Sequence, residues 1–256
     1  MATAAVRCPY CGSENVIKSG KDENGKQRFL CKEKDCPHTT FLNEYDNLGW
    51  DPEVKEKILQ MTVNGNGTRA IARILGISTN TVTSELKKKE TWIDQVNLDY
   101  IKRHQNSCIK IDVIPVEEVE MDEMWSFVHD KSQQYWLWWA IDHNTGEPLA
   151  YVMGPRKDSY LDELQKLLSP FDIDIVFSDD HYGYKTHIKD SIVITGKRNT
   201  QKIERKHLSL RTWCSRLVRK GIRFSKKHLM HRIVLGLIIN FWFFNRIPWE
   251  SSYQLC

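Results

Sequence analysis

The rhythm of apolar positions changes several times along the chain. After Trp50 they fall at helical spacing: Pro52 at a helix start leads to Val54, Ile58 and Leu59, the breakers Asn64-Gly65-Asn66-Gly67 interrupt, and Thr68 caps a second helix through Leu75. Gly76-Ile77-Ser78 then turns the chain into a third helix, Thr79 to about Glu90, whose Val82 and Leu86 point inward. Residues 93–114 are mixed in charge and read as a partly helical connector. From Pro115 the period drops to two, with Val119, Met121, Trp125 and Phe127 on one side of a strand and Glu118, Glu120 and Asp122 on the other. Tyr135–Ile141 is a nearly continuous apolar run, which Asp142-His-Asn-Thr-Gly146 turns into Pro148–Met153. Ser159–Leu168 then reads as a helix, Ile173–Phe177 as a strand buried on both faces, Ile192–Thr195 as another strand, and Thr200 to about Lys220 as a long helix.

Three strands, helix, strand, short helix, strand, helix is the order of an α/β ribonuclease H-like domain. In that order the first and fourth strands lie side by side. The expected organisation is therefore a small N-terminal ribbon (1–46), an all-α helix-turn-helix module (50–92), a connector (93–114) and an α/β catalytic domain with a C-terminal helix (115–256).

Charge sharpens this picture because it is segregated. The net charge of the 256 residues is only +4, yet Lys197–Arg232 holds thirteen Lys or Arg against one acid, Glu204, while Asp112–Met124 holds six acids and no base. A polyanion held beside a cation-binding site would account for both blocks. The N-terminus lacks a signal-peptide pattern, so a cytoplasmic, nucleoid-associated protein is expected. The apolar run Ile233–Phe244 is twelve residues long, short of the roughly 20 a membrane span needs. It reads as a buried helix or a subunit contact.

Seven cysteines without a secretory signal argue against a disulfide framework. Cys8-Pro-Tyr-Cys11 and Cys31-Lys-Glu-Lys-Asp-Cys36 instead form two knuckles, with Gly20, Asn24 and Gly25 as turn formers between them. Four thiolates around a structural zinc ion would hold together a segment too small for its own core, with His38 as an alternative to Cys36. Cys108, Cys214 and Cys256 are unclustered. On the third helix Asn80, Thr83, Ser84 and Lys87 remain on the outer side, the short polar residues that a recognition helix presents to base edges and phosphates.

Three separated acids carry the candidate chemistry: Asp122 in Glu-Met-Asp-Glu-Met-Trp, Asp179 in Val-Phe-Ser-Asp-Asp, and Glu204 at the head of the basic helix. Magnesium takes oxygen ligands, and phosphodiester exchange needs one oxygen activated and another stabilised, which two ions bridged by a shared aspartate can do. Clustered carboxylates without a cation would raise one another's pKa, so their convergence implies an ion. Asp179 follows a serine and is chosen over the adjacent Asp180. Glu123 should face the opposite side of the strand and be structural. Arg211, seven residues after Glu204, projects from nearly the same helix face and, with Arg205, would hold phosphate. His181 and His207 lie near the acids as DNA or packing contacts.

The Cys8-Pro-Tyr-Cys11 opening, the Thr68-Arg-Ala-Ile-Ala-Arg-Ile-Leu-Gly-Ile-Ser-Thr-Asn-Thr-Val segment, Asp122-Glu-Met-Trp, Leu168-Ser-Pro-Phe-Asp and Thr200-Gln-Lys-Ile-Glu-Arg together resemble transposases of the insertion-sequence-one family of bacterial mobile elements. The resemblance covers nearly the whole chain. It implies a DDE transposase with Asp122, Asp179 and Glu204 as the triad and Arg211 as the basic residue that follows the glutamate. The expected cofactors are Mg²⁺ or Mn²⁺ and structural Zn²⁺. The expected partners are double-stranded DNA, as element ends and as target, and further copies of the chain in a dimer or higher assembly. The competing expectation is a DNA-binding regulator derived from a transposase and lacking catalysis. The presence of all three acids and Arg211 weighs against it.

Overall fold

A computed structural model describes residues 6–36, 38–43, 47–104, 114–179, 182–188, 191–196, 199–218 and 221–250. Asp180, His181, Cys108 and Cys256 lie outside the described residues. The chain forms two compact units, one of Met1–Gln60 with Thr68–Glu85, the other of Met61–Gly67 with Leu86–Cys256.

In the first unit, β1 (Val16–Lys21), β2 (Gln27–Cys31) and β3 (Thr40–Leu42) make an antiparallel sheet in that order. Asp22 Oδ1 accepts the backbone N–H groups of Asn24 and Lys26 and so closes the β1–β2 turn, with Gly25 at φ 83°. Among the described residues of this sheet and its flanks, the buried cluster is Cys8, Phe29, Cys31 and Phe41. Four side chains cannot offset the entropy of ordering such a segment, so another crosslink is required. Helices α1 (Pro52–Val63), α2 (Thr68–Leu75) and α3 (Thr79–Lys87) follow. Gly76, at φ 66°, makes the α2–α3 turn, and Ser78 Oγ caps α3 by accepting the Thr81 N–H at 3.0 Å.

The second unit is built on a five-stranded sheet in the order β10 (Ile192–Thr195), β9 (Ile175–Ser178), β5 (Glu118–Val128), β6 (Asp130–Asp142) and β7 (Pro148–Gly154). Strands β5, β6 and β7 are antiparallel neighbours; β9 runs parallel to β5, and β10 parallel to β9. A short parallel ladder joins β4 (Ile114–Pro115) to β8 (Phe171–Asp172). The helices are α4 (Leu98–His104), α5 (Asp158–Leu167), α6 (Tyr182–His187), α7 (Gln201–Trp213) and α8 (His228–Phe243). Val119, Met121, Trp138 and Ala140 bury one sheet face together with Leu161 and Leu164 of α5. On the other face Trp139 meets His207 of α7 and Phe243 of α8, and Ser126 meets His231 of α8.

Two expectations change. Strand β6 begins at Asp130, not Tyr135: the polar run Asp130–Gln134 still pairs with β5, because ladder hydrogen bonds need no apolar side chain. Helix α7 ends at Trp213 rather than near Lys220. Cys214 leaves helical geometry at φ −117°, ψ 96°, which buries both Cys214 and Leu217 and lets Arg216 reach Ser225. The Ile233–Phe244 run follows its core reading over Ile233–Asn240, which are all buried, with a Cβ on Gly236 falling 2.6 Å from Ile93 Cγ2, while Trp242 stays 39% exposed. Among the described residues no helix is long and apolar enough to cross a membrane.

Candidate active site

The register of β5 against β9 ends at Met121 opposite Ser178. Asp122 and Asp179 are the next residues on two parallel strands spaced about 4.8 Å apart, so their carboxylates project from one end of the ladder. Carboxylate oxygens of Asp122, Glu123 and Asp179 all lie within 4.8 Å of one another. Strand alternation assigns Glu123 to the opposite face, in a structural role. Because β9 stops at Ser178, the β5 edge is open at this point, and an acid from the opposite face reaches round to the same place. Its Oε2 is 3.8 Å from Arg156 Nη2.

The third predicted acid, Glu204 on helix α7, is not among the carboxylates of that group. Glu204, exposed in the first turn, lines a cleft of about 400 Å³ together with Asp122, Glu123, His207 and Arg211. The start of α7 is fixed by a residue that sequence reasoning had left unassigned. Glu120, fully buried, accepts the Ile203 N–H at 2.8 Å with one carboxylate oxygen and contacts His143 Nδ1 at 2.8 Å with the other. A first-turn N–H has no carbonyl in its own helix, and the Thr200 side chain makes no cap, so Glu120 caps α7 from the neighbouring strand. Lys202 Nζ adds bonds to the carbonyls of His143 and Asn144 in the β6–β7 turn. Alternation along β5 was the available signal: an acid two residues before Asp122 on the same face must meet whatever covers that face.

His207 packs between Trp139 and Asp122. Trp139 Nε1–H donates to His207 Nε2 at 2.8 Å, so the ring proton sits on Nδ1, 3.5 Å from Asp122 Oδ2. Burial pushes the Asp122 carboxyl from 3.8 up to about 7, and the charges of Asp179 and Glu204 add to the rise. Glu123 also rises to about 7, chiefly through burial, with Arg156 opposing. Tyr184, wholly buried, is held far above its usual range by desolvation and by the same acids. A site that penalises its own negative charge in this way is matched to a cation.

In the first unit, Cys8, Cys11, Cys31 and Cys36 bring their sulfurs within 4.8 Å of one another. The pairs Cys8–Cys36 and Cys11–Cys31 are 3.7 and 3.6 Å apart. Zinc–sulfur bonds of about 2.3 Å in a tetrahedron require sulfur separations of about 3.8 Å, so the donor set fits zinc. His38 is not in the cluster; its ring stacks on Tyr10, with centroids 3.9 Å apart.

The family model described as IS1 transposase matches residues 116–245, the InsA C-terminal domain matches 49–90, and the zinc-ribbon InsA N-terminal domain matches 1–37. The chain belongs to the IS1 transposase family.

Among its curated relatives, the insertion element iso-IS1n protein InsB of Shigella dysenteriae is 47% identical over 120 residues, which is 47% of this chain and 92% of that protein. The insertion element IS1 9 protein InsB of Escherichia coli K12 is 41% identical over 121 residues, 47% of this chain and 72% of that protein. A chain of a simian T-cell lymphotropic virus intasome complex superposes with a TM-score of 0.37 at 14% identity, over 79% of this chain and 76% of that one, too distant to bear on the fold. In the part of the chain matched by the InsA C-terminal domain, Asn80, Ser84 and Lys87 of α3 are exposed. Thr83 is half-buried and its hydroxyl donates to the Asn80 carbonyl at 3.0 Å. On α7 Arg205 faces solvent, whereas Arg211 is half-buried and lines the acid-bearing cleft.

Proposed function

We propose that this chain is a DDE transposase that binds the terminal inverted repeats of an insertion sequence and catalyses metal-dependent strand cleavage and strand transfer. The observation that carries the proposal is the convergence of Asp122, Asp179 and Glu123 at the end of the β5–β9 ladder, with Glu204 lining the same cleft. The sheet order, three antiparallel strands followed by two parallel ones, supports a ribonuclease H-like reading of the second unit. Residues 1–46 then act as ribbon, 50–92 as helix-turn-helix, 93–114 as connector and 115–256 as catalytic domain.

Asp122, Asp179 and Glu204 would hold Mg²⁺ or Mn²⁺, with Glu123 a further oxygen donor at the same place. The bound cations supply Lewis-acid activation of the attacking oxygen and neutralise charge on the leaving oxygen. His207, its tautomer set by Trp139, orients Asp122. Glu120 fixes the first turn of α7 and with it the placement of Glu204 and Arg211. Arg211 and Arg205 hold phosphate, and Asn80, Thr83, Ser84 and Lys87 meet the repeat DNA. In cleavage, a water oxygen bonds to phosphorus and the phosphorus–O3′ bond breaks, leaving a 3′-hydroxyl. In transfer, that hydroxyl attacks a target phosphate and a target 3′-hydroxyl leaves. Joining two ends to one target calls for a dimer or larger assembly.

The test is incubation of the full chain with labelled linear element ends, a target plasmid and Mg²⁺. Nicked ends and end–target joints are expected from wild type. Asp122→Ala, Asp179→Ala and Glu204→Ala should each abolish both products and retain end binding. Normal cleavage by all three variants would overturn the assignment.

A further inference from the structure

The acid-bearing cleft has an apolar wall for which phosphate chemistry has no use. Trp125, Trp136 and Leu208 line it together with the carboxylates of Asp122, Glu123 and Glu204. Trp125 and Trp136 are cross-strand partners on β5 and β6, and Leu208 is 61% exposed on α7, four residues after Glu204. Both indoles are held before any ligand arrives. Trp136 packs against the sheet core and carries the Arg156 guanidinium 4.6 Å from its ring centroid, while Trp125 leans on Phe127 at 5.6 Å. A volume of about 400 Å³ lies within the range of sites that take small organic groups, about 300–1,000 Å³.

A DNA backbone offers this wall only phosphates and sugars, and the base faces of an intact duplex are hidden in the stack. An aromatic and aliphatic surface beside a phosphate-handling site therefore finds a complementary face only on a base that has left the stack. Building on the transposase reading, we propose that the Trp125–Trp136–Leu208 wall receives one unstacked nucleobase of the cleaved DNA, next to the phosphate placed at Asp122. The base would lie against the edge of β5 beyond the end of β9 and would fix the strand beside the scissile phosphate. Stacking on an indole accepts any base, so the pocket acts on the geometry of the strand and not on its sequence. It also makes cleavage easiest where the duplex opens readily.

The experiment measures binding with no turnover. Full-length protein in Ca²⁺ is titrated against element-end duplexes that carry a single mismatch or abasic site at successive positions around the cut. Wild type should bind a duplex mismatched at one position within a few nucleotides of the cut roughly tenfold more tightly than the matched duplex, because the unstacking cost is already met. An abasic site there should give a smaller gain, since it supplies no base to stack. Trp125→Ala and Leu208→Ala should lose the mismatch gain and cleave matched ends roughly tenfold more slowly in Mg²⁺, while Trp125→Phe keeps both. A flat mismatch profile, or the same gain in the two alanine variants, overturns the proposal even if wild type cleaves ends normally. Failure of wild type to cleave any end overturns the transposase reading itself and this proposal with it.

Discussion

Neutralising Asp122 should make the metal-free protein more stable, and the size of the gain can be worked from its surroundings. Burial, with help from Asp179 and Glu204, lifts this carboxyl from 3.8 to about 7. At about 1.4 kcal/mol per pH unit, holding it ionised above pH 7 costs on the order of 4 kcal/mol. The Asp122 charge in turn raises Glu123, so the clustered acids do not titrate independently, and roughly half of that, about 2 kcal/mol, is a fair charge to Asp122 alone. The folded state holds the proton more tightly than the unfolded chain does, so metal-free protein loses stability as pH rises from about 4 to about 7 and recovers it on acidification. Asp122→Asn keeps an acceptor for the Glu123 N–H and removes the charge. Thermal melts in EDTA should show the variant about 4–8 °C above wild type near pH 8, with the gap shrinking toward about pH 5. Adding Mg²⁺ should raise wild type and leave the variant nearly unmoved, because the ion restores the charge balance only where the carboxylate is present. A gap that is independent of pH, or equal stabilisation of both proteins by Mg²⁺, would refute the reasoning.

Other perturbations separate the remaining parts. Purified protein should contain about one zinc per chain, and Cys11→Ser should release it and unfold the ribbon while the far-ultraviolet signal of the second unit persists; zinc-free active protein would contradict this. Glu120→Ala should cost about 2 kcal/mol by stranding the buried Ile203 N–H, and Glu120→Gln much less, as read by thermal melts; equal loss in both would remove the capping role. Asn80→Ala or Thr83→Ala should reduce discrimination between end and random DNA by about 1–3 kcal/mol, whereas Lys87→Ala should weaken both alike; equal losses on both DNAs for all three would mean that α3 does not read sequence.

How much of this was legible beforehand depended on whether one pattern carried the information. Period-two alternation from Pro115 onward located β5, the unbroken apolar run located the inner half of β6, and the Asp142–Gly146 turn located β7. The outer half of β6 was hidden because Asp130–Gln134 are polar and held only by ladder bonds to β5. The end of α7 was hidden for a different reason. Cys214 and Leu217 continue a helical stripe in sequence, but they are buried by a turn of chain that leaves the helix. The cysteine set could be read from spacing alone because knuckles are local, and only the choice between Cys36 and His38 needed coordinates.

The acids show where local pattern stops and topology begins. Asp122 and Asp179 are 57 positions apart in the chain, and nothing in either segment states that they meet. The element order does, through a parallel pairing that ends one residue before each of them. The same pairing explains how Glu123, expected on the opposite face, brings a carboxylate oxygen beside those of Asp122 and Asp179. Strand alternation separates neighbours by a full sheet thickness only while the strand is covered on both edges, and β5 loses its β9 edge at Met121. Beyond that point, side chains of opposite faces share one opening. A single strand can therefore place Glu120 under a helix terminus, Asp122 and Glu123 at the candidate metal site and Trp125 in the adjoining wall, within six consecutive residues. Substitutions along β5 should accordingly alter helix placement, cation affinity and strand geometry one after another at steps of one or two residues.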